Sequence, residues 1–248
     1  MTSTALVLWD VDRTLLYVGD TDRAVYREAF RDVVGREATK LPERGTGRTM
    51  PLAVRELLTA NDVDQHDIEP LAERIVGLLP TLLAERSEQL HTTGQLMPGA
   101  VAALGAVHAH PALIPTVVTG NLQQSAAIKL GAFGLERYVD LSVGGYASDD
   151  PYRPALVGIA QRRAADRYDA AFDPANTVII GDSLEDVRTG AEGGAMVIAI
   201  ASGTTSGQQL AAAGADRVLD DLQDLGALLE AVTELTGGGR PIDPRFPA

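Results

Sequence analysis

The strongest constraint on the fold is a recurring unit, a short apolar run that meets polar residues at once and is followed by a helix-length stretch. Ala5-Leu-Val-Leu-Trp9 stops at Asp10, and further apolar runs recur at Leu113–Val118, Leu141–Val143, Val178–Ile180 and Met196–Ile200. Runs this short and this continuously apolar read as strands buried on both faces. Between the later ones lie helical patterns at Leu122–Leu130, Ala155–Tyr168 and Glu185 to about Gly193. The alternation predicts βαβ units and a mostly parallel sheet, an α/β fold. Pro115 removes a ladder donor, so it is placed near the start of its strand.

One stretch breaks the alternation. From Asp20 to about Thr92 the pattern is helical only. Asp22 is positioned to cap a helix with the apolar stripe Ala24, Val25, Ala29, Phe30 and Val33, stopped by Gly35. Leu52 to Leu58 forms a second helix ending near Asn61. A third carries Ile68, Leu71, Ile75, Leu78, Leu79, Leu82 and Leu83, with a kink expected at Pro80. The expected organisation is a core of residues 1–18 and 93–236, a helical insert of residues 19–92, and a loose tail over 237–248.

Composition narrows the function classes. The formal net charge of −13 argues against nucleic acid, whose phosphates are held by clustered Lys and Arg. A small anionic substrate stays compatible, because a bound cation can reverse the field within one cleft. The absence of cysteine removes disulfides, thiolate metal sites and cysteine nucleophiles, and fits a reducing cytoplasm. No apolar run approaches the roughly 20 residues that span a bilayer, and no basic leader precedes the first strand, so no membrane partner is expected. Lys40 and Lys129 are the only lysines, read here as compositional bias. His66, His91, His108 and His110 show no metal-ligand spacing.

Four acids stand out by position. Asp10 and Asp12 follow the first strand, in Trp9-Asp-Val-Asp-Arg-Thr14; Asp182 and Asp186 follow the strand Val178–Ile180, in Gly181-Asp-Ser-Leu-Glu-Asp186. Ligands of open α/β sheets bind beyond the carboxyl ends of strands, so both pairs lie on the functional edge. A lone Asp at a strand end is as readily a helix cap or a turn. If the two strands are neighbours, several carboxylates converge, and two like charges about 4 Å apart repel by roughly 4 kcal/mol at intermediate dielectric. A hard divalent ion such as Mg²⁺ relieves that repulsion. Thr119-Gly120-Asn121 ends another strand and offers a hydroxyl and amides to an anion. Arg153, before Pro154, offers a guanidinium to phosphate oxygens.

Together these segments resemble the haloacid dehalogenase (HAD) superfamily, in its phosphatase branch with a helical cap, which includes phosphoglycolate phosphatase-like and β-phosphoglucomutase-like proteins. The resemblance rests on Asp10-x-Asp12-x-Thr14, on Thr119 with Gly120 and Asn121, on Arg153-Pro154, and on Asp182-x-x-x-Asp186 in that order. It implies a Rossmann-like parallel sheet that sets the first and last of these motifs on adjacent strands, with the insert as an all-helical cap. It also implies Asp10 as nucleophile, Asp12 as general acid and base, and Thr119 and Arg153 as catalytic stabilisers of charge. Mg²⁺ would sit among Asp10, Asp12 and Asp182, with Asp186 orienting its water. Thr14 is expected to brace the loop, while Gly120, Asn121 and Arg48, the last in Gly45-Thr-Gly-Arg-Thr49, would meet the substrate.

Two departures accompany the match. Arg13 stands where glycine is common, and Arg153 where lysine is commoner, with Arg162 and Arg163 as fallbacks inside the following helix. Asp12 favours phosphoryl transfer over dehalogenation. Lys40, the only lysine of the insert, is poorly placed for a Schiff base, which disfavours phosphonate cleavage. The resulting expectation is a cytoplasmic Mg²⁺-dependent phosphatase acting on a small phosphorylated metabolite, as a monomer or small homo-oligomer. A phosphomutase and a non-catalytic binding protein on the same fold are the alternatives.

Overall fold

The computed structural model describes residues 4–43 and 47–237. Of the expected tail, residues 238–248 lie outside the described residues, as do Gly45 and Thr46 of the insert loop. The chain begins with β1 (Ala5–Trp9) and a short β2 (Leu16–Tyr17), then four helices: α1 (Gly19–Val34), α2 (Met50–Ala60), α3 (Ile68–Ala84) and α4 (Ser87–Thr93). β3 (Gln95–Leu96) returns antiparallel to β2, so the helices leave and re-enter through a two-stranded ribbon. Then follow α5 (Ala100–Ala109), β4 (Leu113–Thr119), α6 (Gln123–Ala132), β5 (Gly145–Tyr146) and α7 (Ala155–Tyr168). The chain continues through β6 (Thr177–Gly181), α8 (Leu184–Gly193), β7 (Met196–Ile200), α9 (Gly207–Ala212), β8 (Arg217–Leu219) and α10 (Leu225–Gly237).

The α/β expectation holds: six strands form one parallel sheet in the order β5-β4-β1-β6-β7-β8. β1 is central, paired with β4 on one side and β6 on the other. The chain builds outward from β1 through β4 and β5, then crosses back to β6 and builds the other way. The switch point therefore lies where β1, β4 and β6 end together, which is where open α/β sheets bind ligands.

Strand periodicity explains the two cores. Val7 and Trp9 of β1 pack with Val178 and Ile180 of β6 on one face, whereas Leu6 and Leu8 pack with Ile179 on the other. The residues of both layers are buried, as continuous apolar strands require. Pro115 is the third residue of β4 and pairs with Val7. Its carbonyl accepts from Asp140 on the side away from β1, and β5 joins β4 only at Val118 and Thr119. The missing amide thus faces a gap in the ladder, so proline costs little there.

Several local expectations are corrected. Leu141–Val143 is a turn and the strand is Gly145–Tyr146 instead. The Asp140 carboxylate accepts from both the amide and the hydroxyl of Ser142, closing a local loop that competes with extended backbone. Asp22 lies inside α1 and does not cap it; Val18 holds the N-cap position, while Gly35 terminates the helix with φ 80°. α3 is one helix that contains Pro80, and its buried stripe adds Ala72, while Leu71 packs half-buried against the core and Leu78 is exposed. Among the described residues, no helix is long and apolar enough to cross a membrane.

Candidate active site

The carboxyl end of β1 turns sharply to deliver two acids. Asp10 still belongs to the sheet, its amide donating to Ile180 of β6, and is buried. Asp12 lies outward, with its side chain 36% exposed. Arg13 between them and Thr14 takes φ 68°, the left-handed region that costs an L side chain roughly 1 kcal/mol and glycine little. This is the physical basis of the expectation of glycine there. The guanidinium of Arg13 lies 4.4 Å over the Tyr17 ring, which offsets part of the strain.

Three buried carboxylates meet beyond β1 and β6. Asp10, Asp182 and Asp186 each place an oxygen within 4.8 Å of the others. Arg153, at the start of the α7 segment, lies among them: Nη2 donates to Asp10 at 2.6 Å and to Asp186 at 2.5 Å. Its other terminal nitrogen, Nη1, donates to the carbonyl of Gly47 at 2.7 Å. Thr14 is fully buried and its hydroxyl lies 3.3 Å from both Asp10 and Asp182. Asp186 is committed to structure, since its second oxygen accepts from the amide and hydroxyl of Ser183 in a capping box that starts α8. Asp182 keeps Oδ2 buried without a partner, and a Cβ at Gly203 would come within 1.8 Å of that oxygen. Only glycine allows the chain to pass so close.

The cluster is electrostatically loaded. Burial pushes the Asp10 carboxyl well above the ordinary value, and Asp186 adds to it more than Arg153 relieves. Burial, then Asp186, raises Asp182 to about 7, with Thr14 and Arg153 pulling the other way. Paired carboxylates that resist joint ionisation, with one oxygen unsatisfied, fit a divalent cation with oxygen ligands.

A second constellation surrounds Asp12. Asn121 Nδ2 donates to Asp12 at 2.6 Å and to the Thr119 hydroxyl at 2.8 Å, linking the ends of β1 and β4. The ammonium of Lys129, on α6, contacts both oxygens of Asp12 at 2.9 and 3.1 Å and Asp22 of α1 at 2.8 Å. Lys129 is fully buried. The reading of its rarity as compositional bias missed this role. A usable signal was its position on the apolar stripe of α6, between Ala126 and Leu130, where a cation needs a buried partner.

Both constellations line one cavity of about 160 Å³, walled by the insert through Asp22, Tyr26, Arg48, Met50 and Ala53. The insert loop is docked on the sheet edge: Met50 donates to the Gly120 carbonyl at 2.8 Å and Thr49 to Pro151 at 3.0 Å. A Cβ on Gly120 would meet Arg48 backbone at 2.7 Å, so this approach depends on glycine. Arg48 lines the cavity and pairs with Glu56 of α2. Arg162 and Arg163 stand outside the cavity, Arg163 bonding Asp149, and Lys40 is exposed away from it. All four histidines are exposed; against expectation, His66 stands with Asp64 and Asp67 in an open group with metal-ligand spacing.

Residues 154–225 match the family model described as HAD-hydrolase-like. That matched stretch, from the start of α7 to the start of α10, is similar to haloacid dehalogenase-like hydrolases. Solved structures extend the likeness to nearly the whole length. A haloacid dehalogenase-like family hydrolase from Streptococcus pneumoniae aligns over 92% of this chain and 100% of its own at 17% identity, with a TM-score of 0.65. A protein assigned as a phosphatase from Clostridium acetobutylicum gives 92%, 100%, 15% and 0.66 by the same measures. A phosphonoacetaldehyde hydrolase-like protein from Oleispira antarctica gives 97%, 96%, 18% and 0.67. Such low identities establish the HAD fold and leave chemistry to the site. No curated protein matches the chain in sequence.

Proposed function

We propose that the protein is a Mg²⁺-dependent phosphatase acting on a small phosphate monoester, with residues 1–18 and 93–236 as catalytic core and residues 19–92 as a helical cap. The observation that carries this reading is the convergence of Asp10, Asp182 and Asp186 around Arg153 at the switch point, with Asp12 and Thr119 on the same cavity.

Asp10 and Asp182 would hold the cation, joined by the backbone carbonyl of Asp12, with Asp186 orienting the array through Arg153. When bound, the cation supplies positive charge that favours ionised Asp10 and neutralises phosphoryl oxygens. The Asp10 carboxylate attacks phosphorus while the bond to the leaving oxygen breaks, and protonated Asp12 gives its proton to that oxygen. Water then attacks the aspartyl phosphate, passing its proton to Asp12 and releasing inorganic phosphate from a regenerated Asp10. Arg153, Thr119 and the amides of Gly120 and Asn121 stabilise the transferring oxygens, and Thr14 braces Asp10 against Asp182. Arg48 and the other insert residues of the cavity face the leaving group. The absence of cysteine fits a cytoplasmic site of action.

The test is phosphate release from a panel of phosphate esters with Mg²⁺ or with chelator, for wild type and Asp10→Asn. Metal-dependent turnover abolished by Asp10→Asn is expected. Turnover that survives Asp10→Asn, or none by wild type on any ester, would overturn the reading. Phosphoryl exchange between two sugar hydroxyls without net release would identify a mutase.

A further inference from the structure

The proposed mechanism leaves a fully buried lysine unused. Lys129 has three ammonium donors and three oxygen contacts, two on Asp12 and one on Asp22. Its side chain is 1% exposed, that of Asp22 20% and that of Asp12 36%. The most exposed member is therefore gripped by the most buried one. Asp12 also sits past the last β1 residue, beside the left-handed turn at Arg13. Among the described residues, the one side chain besides Lys129 that donates to its carboxylate is that of Asn121, on a single oxygen. Burial alone would lower the Lys129 pKa, but Asp12 and then Asp22 outweigh it and hold the group above its ordinary value, so it stays charged.

The geometry points to Lys129 as the positioning residue for Asp12, fixing both carboxylate oxygens while Asp22 of the cap helix α1 anchors the ammonium from behind. The inference rests on Asp12 acting as the proton donor. Contacts at both oxygens restrain the Asp12 carboxyl group against rotation about its terminal bond, and Asp12 and Asp10 line the same cavity. Proton transfer requires a donor within hydrogen-bond reach of the leaving oxygen, and a loop carboxylate without its clamp samples orientations out of reach. A purely structural role, neutralising two acids beneath the cap, would affect all substrates alike.

The distinguishing measurement is kcat/KM for phenyl phosphate and 4-nitrophenyl phosphate, two esters of similar shape. Phenol is the more basic leaving group and depends more on the acid. Asp12→Asn sets the full effect of losing the proton. Lys129→Met is expected to lower kcat/KM for phenyl phosphate at least ~10-fold more than for 4-nitrophenyl phosphate. Because Lys129→Met strips Asp22 of its ammonium partner and so costs stability, Lys129→Met/Asp22→Leu replaces both buried charges by apolar groups and is expected to show the same disparity. If the double variant folds and both esters slow by one factor, while Asp12→Asn separates them, the positioning role is wrong and the phosphatase reading stands. If Asp12→Asn does not separate them, the proton-donor reading fails and takes this inference with it.

Discussion

The buried acids give a stability prediction that can be checked without knowing the substrate. Asp182 is 2% exposed and its pKa is raised from 3.8 to about 7, chiefly by burial and then by Asp186. A carboxyl with a raised folded pKa binds its proton more tightly in the folded than in the unfolded state. Its stabilising contribution is therefore complete below about pH 4 and is lost as pH rises through about 7. Three units correspond to about 4 kcal/mol, an upper bound because Asp10 and Asp186 titrate with it. Asp182→Asn keeps the shape and an oxygen for the Thr14 hydroxyl but cannot ionise.

In chelator at about pH 8, Asp182→Asn is expected to be more stable than wild type by about 1–4 kcal/mol, which raises the melting temperature by roughly 3–12 °C at this size. At about pH 4 the two should melt nearly together, because Asp182 is then neutral in the folded protein. Adding Mg²⁺ at the higher pH should stabilise wild type and leave the variant little changed, since one ligand is gone. Thermal unfolding followed by circular dichroism reads all three. If wild type is as stable as Asp182→Asn at about pH 8 in chelator, the carboxylates are not in conflict and the argument for a cation fails at its root.

Two further substitutions probe neighbouring parts of the site. Arg153→Lys keeps the charge but cannot reach Asp10, Asp186 and the Gly47 carbonyl together; turnover is expected to fall ~10-fold or more, with stability lost by about 1–3 kcal/mol, read by steady-state kinetics and denaturant unfolding. Arg13→Gly relieves a left-handed residue worth about 1 kcal/mol and gives up a Tyr17 contact worth about 0.5–1 kcal/mol, so stability measured by urea unfolding should stay within about 1 kcal/mol of wild type.

The parts of this protein legible in its sequence are those where one residue type has one physical use. Ala5–Trp9 and Met196–Ile200 match the observed strands at both ends, because five apolar residues in a row suit a strand buried on both faces. The left-handed turn at Gly35 and the acids at strand ends were equally readable. Leu141–Val143 misled because its two apolar residues do not outweigh the turn that Asp140 builds with Ser142 between them. β2 and β3, two residues each, are too short to carry any period. Asp22 was assigned to the start of α1 from local preference; its partner is 107 residues away on α6, a distance no local rule can see.

Arg153 and Lys129 do parallel work that explains why this edge was only half visible. Each cation binds a carboxylate of the β1 loop and also reaches the insert: Arg153 joins Asp10 to the carbonyl of Gly47, and Lys129 joins Asp12 to Asp22. The nucleophile candidate and the acid candidate are thus each registered to the helices that cover them. Shifting the insert while it still covers the site would leave Arg153 with one further donor and Lys129 with one donor unmatched, and an unmatched buried donor costs more than the contact it lost. The acids alone define where chemistry can occur. Their two buried cations, drawn from helices α6 and the start of α7, make the arrangement of those acids depend on the position of the insert.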